Sequence, residues 1–212
     1  TSDVAVEDFT MRGITWEVLT EKNYALLVSR TSFHIIRMPQ KDQFIKVRTW
    51  EEKETGLQFT RRFEIIDEDT QEVLVTASTL WILVDLKTRR IIPAAKFDLR
   101  DRPLSTSDYA GIAPGKIMLP EEAVSAGKRI VRFSDMDANG HVNNSKYGNY
   151  VYDCLPEELQ DKDVREIRIN YSKEALPGDE IEMKLFVSED GSKAVVTGIG
   201  PEEACFECEL TF

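Results

Sequence analysis

An α+β fold of two consecutive units, each a helix followed by an antiparallel meander, is predicted by three features of this 212-residue chain. Tyr147, Tyr150, Val151, Cys154 and Leu155 recur at helical spacing directly after a stretch of turn formers. Short runs of alternating apolar and polar residues follow to the C-terminus, the pattern of half-buried strands. The first half repeats the order. Met38-Pro39 before Phe44-Ile45-Lys46-Val47 matches Leu176-Pro177 before Ile181-Glu182-Met183, which suggests a diverged tandem repeat.

The first unit is expected over residues 1–95. A helix-like region covers about Val4 to Leu27, then a strand from Phe33 to Arg37 and a turn at Pro39-Gln40-Lys41-Asp42. Phe44 to Trp50 is the next strand. Leu57, Phe59, Arg61, Phe63 and Ile65 alternate, and Glu68-Asp69-Thr70 turns into a strand from Val73 to Asp85. This unit starts directly in its helix, whereas the second has a strand and a turn before its own. A missing first strand, and so a missing natural N-terminus, is the expectation. Residues 96–127 read as a linker, in a stretch with Pro93, Pro103, Pro114, Pro120 and several glycines. Residues 128–212 form the second unit. Its strand from Lys128 to Asp135 leads to the turn-rich Met136–Asn144. Asn143 or Asn144 caps the helix, and Pro156 falls at its end. Ile167, Ile169 and Tyr171 alternate, as do Ile181, Met183, Leu185 and Val187 after Pro177-Gly178-Asp179. Glu189-Asp190-Gly191 marks a hairpin before Ala194–Thr197, and the final stretch to Phe212 completes the sheet.

The formal charge of −11 excludes a nucleic-acid binder, which needs a basic face. Gly111-Ile112-Ala113-Pro114-Gly115-Lys116 has one residue too few between its glycines for a phosphate loop, and Ile117 follows the lysine. No apolar run approaches the ~20 residues of a membrane helix. Thr1–Asp8 lacks the layout of a signal peptide, so the cytoplasm is the expected compartment. Cys205 and Cys208 sit in an alternating strand and there are only two histidines, His34 and His141, so neither a redox pair nor a zinc site is expected. Cys154 is expected on the core face of its helix. Trp16, Tyr24, Trp50 and Trp81 are expected in the core, and His34, in the apolar run Phe33–Ile36, packed rather than reactive.

The densest chemical cluster is Asp135, Asp137, Asn139 and His141 beside a helix start. Hydrolysis of an activated acyl group needs a base for water, donors for the developing oxyanion and positioning groups. A carboxylate or histidine meets the first need and an asparagine amide the last. N–H groups at a helix start favour negative charge. The same residues are also ordinary turn chemistry.

Arg132-Phe133-Ser134-Asp135-Met136-Asp137-Ala138-Asn139-Gly140-His141-Val142-Asn143-Asn144-Ser145-Lys146-Tyr147 resembles the second hot-dog repeat of acyl-ACP thioesterases, with their D-x-N-x-H-V-N-N-x-K-Y pattern. Ile169-Asn170-Tyr171-Ser172-Lys173-Glu174 is similar to the family's Tyr-x-x-Glu strand. Val28-Ser29-Arg30, Arg48-Thr49-Trp50, Arg61-Arg62-Phe63 and Leu80–Asp85 are similar to its first repeat. The resemblance implies a tandem, or double, hot-dog fold, each antiparallel sheet wrapping a long helix. It implies hydrolysis of acyl-ACP to free fatty acid and holo-ACP, the end of fatty acid synthesis, with no cofactor or metal. The catalytic set falls on Asp137, Asn139, His141 and Glu174. Glu174 would activate water, Asn139 and His141 would position water and thioester, and Asp137 would orient both. Asp135 would be structural. Backbone N–H groups near Val142 and Asn143 would polarise the carbonyl, and Met11 and Trp16 would line the acyl tunnel. Plant members carry a cysteine after the glutamate. This chain has Ala175, which favours direct attack by water.

The implied partner is acyl carrier protein, a strongly acidic protein, with the chain as monomer or homodimer. A local basic patch for it is expected among Lys128, Arg129, Arg132, Lys146 and Lys173, with Arg61, Arg62, Arg89 and Arg90 as further basic pairs. The alternative is an acyl-CoA thioesterase of the hot-dog superfamily, where G-H-V-N-N also occurs, although such chains usually hold a single repeat. A non-catalytic acyl-binding module would need no water-activating carboxylate.

Overall fold

A computed structural model describes residues 1–52, 54–100, 108–137 and 139–212. The chain forms two compact units, Thr1–Pro114 and Gly115–Phe212.

In the first unit the single helix expected to reach Leu27 is two short helices and the start of a strand. Helix α1 (Ser2–Met11) stops at Gly13, whose φ of 77° only glycine adopts without strain. The Ile14 N–H donates to the Phe9 carbonyl at 2.9 Å and the Gly13 N–H to that of Thr10 at 3.0 Å, which closes the helix end. Thr15 caps α2 (Trp16–Glu21), its hydroxyl oxygen accepting from the Val18 N–H. Asn23, at φ 62°, then turns the chain into β1 (Tyr24–Ile35). The run Tyr24–Val28 is too short and too uniformly apolar for its spacing to separate helix from strand.

The other strands are β2 (Ile45–Glu51), β3 (Gln58–Asp67), β4 (Val73–Asp85) and the short β5 (Ile91–Ile92). They pair antiparallel in the order β2-β3-β4-β1, with β5 also on β4. The sheet and α1 enclose Ala5, Ile14, Phe59, Phe63, Ala77, Trp81 and Leu83, joined by Ala94 and Phe97. The expected linker therefore starts inside this core. Its residues 101–107 lie outside the described residues. Trp81 is buried as expected, but Trp16 is 59% exposed.

Alternation along β3 puts Arg61 on the buried face between Phe59 and Phe63, only 2% exposed. Its guanidinium donates to Asp8 at 2.8 Å, lies 3.7 Å from Glu51 and stacks on the Phe9 ring at 4.6 Å. Arg12 reaches Asp8 at 3.1 Å and Glu51 at 2.7 Å, and Arg100 approaches Glu51 at 3.5 Å. Shared partners satisfy charges that burial would otherwise penalise heavily.

The second unit holds β6 (Val124–Ile130), α3 (Asn144–Cys154), α4 (Glu157–Gln160), β7 (Glu166–Tyr171), β8 (Glu180–Val187), β9 (Lys193–Ile199) and β10 (Ala204–Thr211). The antiparallel order is β7-β10-β9-β8-β6, with a register break in β6 between Ser125 and Lys128. The strand expected from Lys128 to Asp135 starts earlier and ends at Ile130. Asp135 takes the Arg132 N–H at 2.8 Å, and residues 133–135 form a 3-10 turn. Asn143 caps α3, as expected, through the Ser145 N–H at 3.0 Å. Tyr147, Tyr150 and Val151 form its buried face. The Tyr147 ring meets that of Phe206 at 4.6 Å and Tyr171 at 6.1 Å. Gly198 leaves room for Phe206, because a Cβ there would run into its ring. A second register break, between Ala204 and Phe206, carries Cys205, which is as deeply buried as Cys208.

Removing the central guanidinium should be costly. Arg61→Leu leaves Asp8 and Glu51 short of a buried counter-charge and should lower stability by about 3 kcal/mol in urea unfolding. A loss under about 1 kcal/mol would show the cluster to be incidental. Burial alone would raise the Asp8 carboxyl, but the hydrogen bonds and charges of Arg61 and Arg12 outweigh it and hold the group below its usual 3.8. Its stabilising contribution is therefore complete above pH 3.8 and is lost as the pH falls through the lowered value.

Candidate active site

The site is built on the turn that ends β6 and the loop leading into α3. The Asp135 carboxylate accepts from Arg132, and its backbone carbonyl accepts the Asn143 N–H at 2.8 Å, so one residue holds both ends of the loop. Burial pushes the Asp135 carboxyl up. The Arg132 N–H, the Tyr150 hydroxyl and Arg129 oppose this and leave it below the usual carboxylate value. Between these ends the chain makes a tight hairpin. Met136 bridges Val142, and the Asp137 N–H donates to the His141 carbonyl at 2.9 Å. The Asp137 Oδ1 accepts the Asn139 N–H at 2.8 Å and, more loosely, that of His141 at 3.4 Å. Asp137 thus orders the backbone of the two residues expected to depend on it. Asn139 is exposed, and among the described residues its side-chain amide has no partner.

One further hydrogen bond joins this loop to the segment after β7. The Val142 N–H donates to the Ala175 carbonyl at 3.1 Å. It brings His141 Nε2 to 3.2 Å from Glu174 Oε2, with both side chains partly open to solvent. Of the four residues expected to act together, the structure makes direct contacts from Asp137 to the backbone of Asn139 and His141, and from His141 to Glu174.

Two expectations fail in the same place. The N–H groups of Val142 and Asn143 were to polarise the carbonyl, but they are engaged by Ala175 and Asp135. The Asn143 side chain is also engaged, accepting from the Ser145 N–H and hydroxyl. These donors shape the loop and are not open to a ligand. Met11 and Trp16 stand on the surface of the first unit, 77% and 59% exposed, and His34 lies in β1.

Glu174 also borders a cavity of about 190 Å³ walled by Lys173, Leu176, Asp179, Pro201, Glu202 and Cys205. The turn between β9 and β10 contributes to it. Sequence reading missed that turn, although Gly200-Pro201 signalled it. Burial pushes the Cys205 and Cys208 thiols up, as it does the half-buried Cys154, so none is predisposed to act as a thiolate. Ala175 is fully enclosed. The described residues hold no cluster of metal-ligating side chains, and no described helix is long and apolar enough to cross a membrane.

Comparison with known proteins points to one family. The family models described as acyl-ACP thioesterase N-terminal domain and acyl-ACP thioesterase C-terminal domain match residues 1–97 and 120–201. A chloroplastic oleoyl-acyl carrier protein thioesterase of Coriandrum sativum is 26% identical over an alignment of 192 positions that covers 82% of this chain and 50% of that protein. The chain thus spans about half the length of that curated relative. The crystal structure of an acyl-ACP thioesterase from Bacteroides thetaiotaomicron superposes with a TM-score of 0.82 at 26% identity, covering 99% of this chain and 85% of that one. The 12:0-ACP thioesterase from Umbellularia californica, at 19% identity, shares the fold, with a TM-score of 0.81 over 99% of this chain and 85% of that one. The α+β hot-dog fold expected from the sequence is therefore the fold of this protein.

Thiol labelling of the native protein, read by mass spectrometry, should modify Cys154 first and leave Cys205 and Cys208 protected until unfolding. Rapid labelling of Cys205 would reopen the case for a cysteine nucleophile beside Glu174.

Proposed function

Because the chain belongs to the acyl-ACP thioesterase family, we propose that it hydrolyses fatty acyl thioesters carried on acyl carrier protein, releasing free fatty acid and holo-carrier. The contact between His141 and Glu174 carries this reading. It sets a carboxylate beside an imidazole at an open site where a water molecule can be held by both. Glu174 takes a proton from that water as its oxygen attacks the thioester carbon. The new C–O bond forms, the C–S bond breaks, and the proton passes to the departing pantetheine sulfur. His141 orients the water and the carboxylate. Asn139, whose amide has no partner among the described residues, is a donor for the carbonyl oxygen, the task first expected of Val142 and Asn143. No covalent acyl-enzyme is needed, in keeping with the buried Ala175 and the raised thiols. Lining of the acyl tunnel stays the role we propose for Met11 and Trp16.

The names of the relatives span oleoyl and 12:0 chains. The assay is therefore a panel of acyl chain lengths on carrier protein, with acyl-CoA alongside. Higher kcat/KM on acyl-ACP is expected, and preference for acyl-CoA would overturn the reading. Within this scheme Glu174→Gln and His141→Ala should each lower kcat by about 10²-fold or more while KM changes little, the mark of an interaction made in the transition state. Near wild-type turnover would remove that residue from the mechanism.

Asp137 separates orientation from charge. Asp137→Asn keeps an oxygen to accept the two loop N–H groups and should retain activity within about tenfold, whereas Asp137→Ala should lose considerably more. Equal losses would mean that the carboxylate charge is what matters.

A further inference from the structure

We infer that an acidic carrier protein docks on the surface formed by Arg132, Phe133, Lys146 and Leu176, which frames the reactive pair. The inference rests on the function proposed above and specifies where its partner binds.

The cations around the site divide into two groups. Lys128 is paired with Glu180 at 2.7 Å, and Arg129 with Asp153 at 2.9 Å. Lys173 is held between Glu202 at 3.3 Å and Glu203 at 3.5 Å. These three, expected from the sequence to attract an acidic partner, already have their counter-charges. The further pair Arg61 and Arg62 is engaged with Asp8 and Glu52. Arg132 and Lys146 have no ion pair among the described residues. With 38 acidic against 27 basic residues the global field repels an acidic protein. At physiological salt the screening length is about 8 Å, so charges at the contact itself decide.

The apolar half of the surface is Phe133 and Leu176. Phe133 is 93% exposed, more than any other large apolar side chain described. Its backbone is nevertheless fixed. The Asp135 N–H donates to the Arg132 carbonyl at 2.9 Å and the Met136 N–H to that of Phe133 at 3.2 Å. A ring on a rigid turn can be covered by a partner with little further ordering, which is how aromatic anchors act at interfaces. Leu176, also exposed, is two residues past Glu174. Its turn is tied to the same segment, since the Val131 N–H donates to the Asp179 carbonyl at 2.9 Å and the Gly178 N–H to the Val131 carbonyl at 3.0 Å. The Lys146 N–H donates to the Asn143 carbonyl at 2.8 Å, in the first turn of the helix that the active loop leads into. These hydrogen bonds fix the backbones of two cations that have no ion pair among the described residues and of two exposed apolar side chains, on segments that adjoin those of His141 and Glu174 in the chain. A carrier protein bound here, its carboxylates on Arg132 and Lys146, would present its thioester to the pair. The planar guanidinium of Arg132 suits a carboxylate in particular.

The test compares Arg132→Glu/Lys146→Glu, Phe133→Ser and, as control, Lys128→Glu, a cation already paired. Each is assayed on acyl-ACP and on the same acyl group carried by pantetheine alone. Carrier binding is measured separately by calorimetry in the Glu174→Gln background. The first two variants should lose about tenfold or more in kcat/KM on acyl-ACP, with weaker carrier binding and unchanged turnover of acyl-pantetheine. The loss from the double charge reversal should shrink as salt is added, and Lys128→Glu should behave like the wild type. Unchanged carrier binding, or equal losses on both substrates, would overturn the docking surface. So would a change of oligomeric state on Phe133→Ser, since a second copy would then cover this face. Carrier binding without turnover of either thioester would instead sink the proposed activity and leave the docking surface standing.

Discussion

The arrangement of the site depends on one hydrogen bond, from the Val142 N–H to the Ala175 carbonyl. In net stability such a bond contributes only about 1 kcal/mol. Its importance is geometric. It ties a loop that precedes one helix to the exit of a strand much later in the chain, and sets an imidazole against a carboxylate on the two sides of the tie. The packing around it follows. Ala175 is small and wholly enclosed, Val142 is buried, and Asn143 turns at once into the cap of α3. The N–H groups of Val142 and Asn143, which lead into the helix, are taken up in holding this geometry.

How much of this was legible in the sequence depended on how local the cause was. The Asn143 cap, the limits of β4 and the apolar face of α3 follow from residues within a few positions of one another, and the sequence reading matches the structure there. Asp137, Asn139 and His141 were visible as a cluster because a single hairpin holds them. Glu174 was not, since only the pairing across Val142 and Ala175 makes it their neighbour, and it was found through family resemblance. The remaining misreadings have causes of both kinds. The first helix ends on the left-handed Gly13, and apolar residues past Asn23 continue as strand. β6 ends where a side chain three residues ahead captures an N–H. Arg61 read as a surface cation because its partners, Asp8 and Glu51, come from other elements.

The helices of the two units pack through different side chains. In the first, the helix meets the sheet through guanidinium groups stacked on phenylalanine rings and paired with carboxylates. In the second, Tyr147 of α3 lies on Phe206 and Tyr171, and a glycine on the neighbouring strand makes room for the Phe206 ring. The ionic cluster of the first unit is directional and intolerant of losing a member, whereas the ring packing of the second depends on shape.

The strands that end the two sheets carry a consequence for life at high protein concentration. In the second unit β6 has a left-handed Gly127 within its register break, followed by Lys128 and Arg129. In the first, β2 carries Lys46 and Arg48 along its length. A strand from another molecule adding to either edge would have to bring long charged side chains close together and, at β6, follow a kinked ladder. These edges act as guards against runaway sheet growth, the route by which half-folded β-rich chains form insoluble fibres.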